Sequence, residues 1–119
     1  MLFKPEHVQM ILEHRKVQTR RLWQRPMVKV GGLYWAQTKL FKPDSRFARL
    51  RVTKLWREPL WRISQSDALA EGYESIGAYL EAFRTINQIT SEWVWQMALQ
   101  TPPVWCVKFE VVEVVEQTP

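Results

Sequence analysis

Apolar residues recur along this chain with two periods, and the switching between them predicts an α+β architecture. Pro5 suits the first position of a helix, and Val8, Ile11 and Leu12 follow on one helical face, which predicts a short helix over about 5–13. Residues 15–23 mix basic and polar side chains with Val17, Thr19 and Leu22 and read as extended. Val28 to Ala36 reads as a turn at Gly31-Gly32 feeding a strand, and Lys42-Pro43-Asp44-Ser45 as a turn. From Phe47 to Trp56 the period is two: Ala48, Leu50 and Val52 fall on one side, Arg49, Arg51 and Thr53 on the other. Ser64-Gln65-Ser66-Asp67 has the form of a capping box, with Asp in place of Glu, opening a helix over about 65–71 that Gly72 stops. Ser75 caps a second helix with Ile76, Tyr79, Leu80 and Phe83 on one face. Residues 88–103, with Trp93, Trp95 and Pro102-Pro103, follow neither period. Trp105, Val107, Phe109 and Val111 alternate with Cys106, Lys108 and Glu110 as a final strand. The expected sheet is mostly antiparallel and can close into a small barrel. No Gly-rich βα turn supports a nucleotide-binding α/β fold, since neither GxGxxG nor GK[ST] occurs.

The 119 residues make one domain, 1–119, with four glycines and no linker to divide it. A single cysteine, Cys106, rules out an internal disulfide and a cysteine-built zinc site. His7 and His14 alone do not make a histidine-rich metal centre, so neither metal nor cofactor is expected. No apolar run approaches the roughly 20 residues of a membrane helix. Met1-Leu2-Phe3-Lys4-Pro5 lacks the apolar core of a signal peptide, so a soluble cytoplasmic protein is the expectation.

Charge sharpens this picture. Residues 14–62 hold 14 Lys/Arg against two acids, Asp44 and Glu58, whereas residues 63–119 hold Arg84 and Lys108 against eight acids. So polar a distribution suits either a phosphate-bearing partner or two halves of one fold that attract each other. The run His14-Arg15-Lys16-Val17-Gln18-Thr19-Arg20-Arg21 concentrates the cations around one hydroxyl, a combination that suits anion binding because guanidinium groups donate in pairs.

Lys4-Pro5 and its helix, Arg15-Lys16-Val17-Gln18-Thr19-Arg20-Arg21, Val30-Gly31-Gly32-Leu33-Tyr34, Ala70-Glu71-Gly72-Tyr73 and Val107-Lys108-Phe109-Glu110-Val111 form an ordered set spread over nearly the whole chain. That set resembles the ASCH domain family, in particular the small single-domain form common in phages and prophages. The resemblance implies a PUA-like fold, a small β-barrel with flanking helices and a cleft beside the basic segment. It also implies RNA binding or RNA-linked chemistry. One branch of the family hydrolyses N4-acetylcytidine to cytidine and acetate with a Lys, a Thr three positions later and a downstream Glu; another is linked to ribonuclease activity. By this resemblance the catalytic candidates are Lys16, Thr19 and Glu71. Two departures stand out: His14 occupies the position before Arg-Lys where the family usually has Gly, and residues 88–103 are extra relative to the shortest amidohydrolases.

Two functions are therefore expected. The first is binding of nucleic acid, with RNA as the favoured partner, in a basic cleft formed by Arg15, Arg20, Arg21 and Arg25, with Trp23 available to stack on a base. The second is hydrolysis of a modified nucleoside by Lys16, Thr19 and Glu71. Thr19 would attack, Lys16 would take its proton if burial lowered its pKa, and Glu71 would relay protons or hold the base. A third possibility, a protein-interaction domain without chemistry, would show its tryptophans as an exposed apolar patch. Positions three apart in a strand face opposite sides, so Lys16 and Thr19 share a site only if the chain bends between them. The same alternation puts Arg20 in phase with Lys16, facing the cleft, and leaves Arg21 for an ion pair with an acid from the C-terminal half. His7 falls on the polar face of the first helix and is expected to face solvent, and Cys106 is expected to be buried and inert.

Overall fold

The computed structural model describes residues 1–101 and 103–116; Pro102 of the expected Pro-Pro pair lies outside them. A 3₁₀ turn over Pro5–His7 leads into α1 (Val8–Leu12), followed by strand β1 (Gln18–Arg21). Strands β2 (Leu33–Gln37) and β3 (Arg46–Glu58) form a hairpin. Helices α2 (Gln65–Ala70), α3 (Ile76–Ile86) and α4 (Glu92–Gln100) precede strand β4 (Val104–Val114). The sheet is antiparallel throughout, in the order β1-β4-β3-β2.

The expected α+β class holds, but the barrel does not close. Closure needs edge strands long enough to stagger against one another, and β1 and β2 span only four and five residues. Residues 1–3 fill the gap instead. Leu2 bridges to Gln37 on the β2 edge, while its carbonyl accepts from Arg21 Nη2 on the β1 edge at 2.7 Å. One residue touching both edges means that the sheet is strongly curled.

The alternation in β3 is as expected: Ala48, Leu50 and Val52 are fully buried, and with Phe109 of β4 they face Ile11 of α1, Phe3 and Val28. The opposite face of β4 is also covered at its start. Val104 and Cys106 lie against Leu60, Ala68, Tyr79, Phe83 and Trp95, drawn from the segment 60–70, α3 and α4. Cys106 is buried, as expected, and burial pushes its thiol up to about 12. The capping box forms as expected: Ser64 Oγ accepts from the Asp67 N–H, and Asp67 Oδ2 accepts from the Ser64 N–H. Helix α4 is the element that periodicity left open. It is capped by Ser91 and buries Trp95 while leaving Trp93 exposed.

Candidate functional site

The site is built where two helix ends of the same type meet. Helix α2 ends in a Schellman motif: Gly72 N–H bonds to the Leu69 carbonyl, Tyr73 N–H to that of Ala68, and Gly72 takes φ +96°. Helix α1 ends likewise, with His14 N–H on Ile11, Arg15 N–H on Met10, and His14 itself in the left-handed region at φ 61°. The resemblance's missing glycine is thus a real conformational demand that His14 meets at a cost. Replacing His14 by Gly should raise stability by about 1 kcal/mol, read as a higher melting temperature. Gly72 has a second constraint, because a Cβ there would stand 2.9 Å from Met10 Sδ.

These two ends bring Lys16 and Glu71 together from 55 positions apart. The Lys16 N–H bonds back to Met10 and the Val17 N–H to Ala70, so the chain is still turning when it passes Lys16, and β1 begins only at Gln18. This is the bend that a shared site for Lys16 and Thr19 requires. Lys16 Nζ donates to the backbone carbonyls of Glu71 at 2.8 Å and Gln18 at 3.2 Å, and lies 3.5 Å from Glu71 Oε1. Both side chains are almost wholly buried, at 3% and 2% exposure. Burial lowers the pKa of Lys16 and raises that of Glu71, each drawing the other part of the way back. Glu71 Oε2 is buried with no hydrogen-bond partner.

A cavity of about 160 Å³ opens beside this pair, and Lys16, Thr19 and Glu71 all line it. Its walls include His7, Tyr73, Tyr79 and Phe83 on one side and Phe3 with Arg21 on another. The first four rings meet edge-on or tilted in series, His7 to Tyr73 at 5.7 Å, Tyr73 to Tyr79 at 5.5 Å and Tyr79 to Phe83 at 6.1 Å. This volume lies well below the roughly 300–1,000 Å³ of sites for drug-sized ligands, so it suits one ring with a small substituent, the rest of a larger ligand lying outside it.

Both arginines line the cavity, but the contacts expected of them are exchanged. Arg20 lines the cavity as expected, but its fully buried guanidinium is held in an internal ion pair, 3.3 Å from Asp67 Oδ2 and bonded to Glu58 Oε1. Arg21 makes no ion pair among the described residues; Nε donates to Thr19 Oγ1 at 3.0 Å, Nη2 to the Leu2 carbonyl, and the guanidinium covers the Phe3 ring. The strand is regular, with Arg20 opposite Cys106 and Arg21 opposite Trp105. The phase argument fails because Lys16 precedes the strand, and because the cavity wraps round the β1 edge and touches both of its faces. The other residues expected to bind nucleic acid lie outside the cavity wall: Arg15 is exposed and pairs with Glu13 at 3.0 Å, Arg25 is exposed, and Trp23 packs against Val28, Val52 and Val107.

His7 is a further correction. It is buried, not solvent-facing, because Tyr73 covers the polar side of the first helical turn and its hydroxyl lies 3.1 Å from His7 Nε2. Burial, then the nearby Lys16 charge, lower the His7 pKa to about 4. Between that value and the ordinary 6.5 the unfolded chain binds a proton that the folded chain refuses, so this contribution to stability is complete above pH 6.5 and is lost as the pH falls towards 4. Thermal melts from pH 7 to 4.5 should show this slope, and a His7→Phe variant should show a shallower one. The aromatic wall itself went unread in the sequence, although Tyr73 stands in the Ala-Glu-Gly-Tyr motif and Tyr79 on the apolar face of α3. Among the described residues no three His, Cys, Asp or Glu side chains are placed to hold a metal ion, and no helix is long and apolar enough to cross a membrane.

No family model matches the chain, and no curated protein does. Solved structures do. A DUF984 protein from Enterococcus faecalis V583 superposes with a TM-score of 0.65 at 21% identity, covering 96% of this chain and 74% of that one. An ASCH domain from Lactobacillus crispatus JV V101 also gives 0.65, at 18% identity over 89% of this chain and 70% of that one. The chain has the fold of an ASCH domain. An ASCH protein of Zymomonas mobilis is similar at a TM-score of 0.54 and 11% identity, covering 98% of this chain and 70% of that one. In this ASCH fold the end of α2, helix α3 and the first helical turn flank the β1 edge, which is where the cavity lies.

Proposed function

We propose that this chain is a hydrolase acting on an N4-acylated cytosine nucleoside, with N4-acetylcytidine as the first substrate to try. The observation that carries the reading is the convergence of Lys16, Thr19 and Glu71 on one small cavity with aromatic walls. Burial lowers the cost of a neutral Lys16 amine, which then takes the Thr19 hydroxyl proton as Thr19 Oγ1 attacks the acyl carbon. The Arg21 N–H already bonded to Thr19 Oγ1 stabilises the charge that develops on that oxygen. Collapse of the tetrahedral species breaks the bond from carbon to N4, and the proton held by Lys16 passes to N4, releasing cytidine. Water, deprotonated by Lys16, then attacks the threonyl ester, releases acetate and returns the proton to Thr19. Glu71, whose buried Oε2 has no other partner, holds the base edge, and its raised pKa favours the protonated form that donates a hydrogen bond.

Incubation with N4-acetylcytidine and chromatographic detection of cytidine tests the reading. Product from the native chain and none from Lys16→Met supports it, and no product from a folded native chain overturns it. The basic cleft expected around residues 15–25 gains less support, since Arg20 and Arg21 are already engaged within the protein.

A further inference from the structure

The buried hydrogen-bond donors in the cavity wall are nearly all engaged within the protein. Lys16 Nζ donates to two carbonyls, Arg21 to the Thr19 hydroxyl and the Leu2 carbonyl, and Asn87 Nδ2 to the Phe83 carbonyl at 2.9 Å. Arg20 keeps Nε and Nη1 without a partner, but its side chain is sealed at 0% exposure and held by two carboxylates. The three tyrosines differ from one another. Tyr34 Oη accepts from the Lys29 N–H at 2.9 Å, and Tyr73 Oη lies 3.1 Å from His7 Nε2. Tyr79 Oη has no hydrogen-bond partner among the described residues, although Tyr79 is only 4% exposed and lines the cavity. A buried tyrosine hydroxyl ordinarily finds a partner, and one without it lowers stability. Phenylalanine would fill the same space and leave nothing unpaired.

The ring is held firmly. Tyr79 lies in the first turn of α3, where its N–H bonds to the carbonyl of the capping Ser75 at 3.0 Å, and it packs between Tyr73 and Phe83. The titratable groups around its hydroxyl are Glu71, Arg20, Cys106 and Tyr73. Burial, then the Glu71 charge, keep the phenol well above its ordinary pKa, so it remains a donor at neutral pH. In the hydrolysis described above, Lys16 serves the proton, Arg21 the nucleophile and Glu71 the base, which leaves the acyl oxygen without a donor.

We propose that the Tyr79 hydroxyl donates a hydrogen bond to the acyl oxygen of the substrate and stabilises the oxyanion that forms there. The inference rests on the hydrolase reading and adds a catalytic residue to it. As the bond from Thr19 Oγ1 to carbon forms, the carbonyl electron pair moves onto the oxygen, and Tyr79 holds that charge while keeping its proton. On collapse the pair returns to re-form the carbonyl, the bond from carbon to N4 breaks, and N4 takes the proton held by Lys16.

Steady-state hydrolysis of N4-acetylcytidine by the native chain and by Tyr79→Phe, with melting temperatures on the same samples, tests it. Tyr79→Phe should lose about 10²–10³-fold in kcat. Its KM should stay within about threefold of native, because the donor acts on charge present only in the transition state. Its melting temperature should hold or rise, since no hydrogen bond within the protein is lost. A second variant keeps both ring and hydroxyl: 3,5-difluorotyrosine in place of Tyr79 should bring a fall in kcat at alkaline pH that the native chain lacks, as the more acidic phenol ionises and stops donating. Native kcat in a folded Tyr79→Phe protein, a loss confined to KM, a lowered melting temperature, or a kcat loss that follows Tyr73→Phe instead would overturn the inference and leave the hydrolase reading standing. No turnover by the folded native chain overturns both.

Discussion

Thr19→Val yields a folded protein that has lost at least about 10³-fold in hydrolysis of N4-acetylcytidine. Valine keeps the shape of threonine and removes only the hydroxyl that accepts from Arg21 Nε. Leaving that donor short of one partner costs about 1–2 kcal/mol of stability, too little to unfold the chain at room temperature. The chemical step suffers far more, because no other serine or threonine lines the cavity and residual turnover rests on binding and orientation alone. Chromatography of the products, with circular dichroism on the same samples, separates the two effects. Native-like turnover by a folded Thr19→Val protein would remove Thr19 as nucleophile. Thr19→Ser, which restores the hydroxyl, should recover part of the rate.

Arg20→Met has the opposite signature, a large loss of stability. The guanidinium is fully buried between Glu58 and Asp67. Removing one member of such a network leaves the others without counter-charge, and costs about 3–5 kcal/mol where the group is buried. Both carboxylates keep some contact with water, at 22% and 26% exposure, which favours the lower end of that range, about 3 kcal/mol. For a domain of this size that corresponds to a drop of roughly 10 °C or more in melting temperature. Adding Glu58→Gln and Asp67→Asn to Arg20→Met should recover a substantial part of the loss, since it removes the stranded charges. Arg21→Met, whose partners are a hydroxyl, a carbonyl and a ring, should cost less. Equal destabilisation by the two arginine variants would contradict the reversed division of roles seen in the structure.

The contrast between these arginines shows where sequence reasoning reaches and where it stops. Features set by neighbours along the chain were legible: the Ser64–Asp67 box, the stop at Gly72 and the burial of alternate residues in β3. Convergence of Lys16, Thr19 and Glu71 was legible only through the family resemblance, since it depends on two helix ends meeting. What failed depended on distant chain. His7 faces away from the apolar side of its own helix and is buried only because Tyr73 arrives 66 residues later. Arg20 and Arg21 were assigned by counting back to Lys16, which lies outside the strand whose alternation was being counted. In α4, Trp93 and Trp95 lie two apart on a helix that exposes one and buries the other, so the apolar pattern matches neither a clean helix nor a strand.

The strand order has a consequence for how the chain is made. Strand β1 has a single neighbour, β4, so Arg21 must wait for Trp105, which is synthesised 84 residues later. At ribosomal rates of about 5–20 residues per second that is a delay of roughly 4–17 s. Meanwhile β2 and β3 have already met as a hairpin, and residues 18–21 emerge with every strand hydrogen bond unmade. Two adjacent arginines, with Arg15 and Lys16 just ahead, keep that nascent segment from pairing with the wrong strand. Three of these cations, Lys16, Arg20 and Arg21, later wall the cavity, so they first protect the chain while it waits for its last strand.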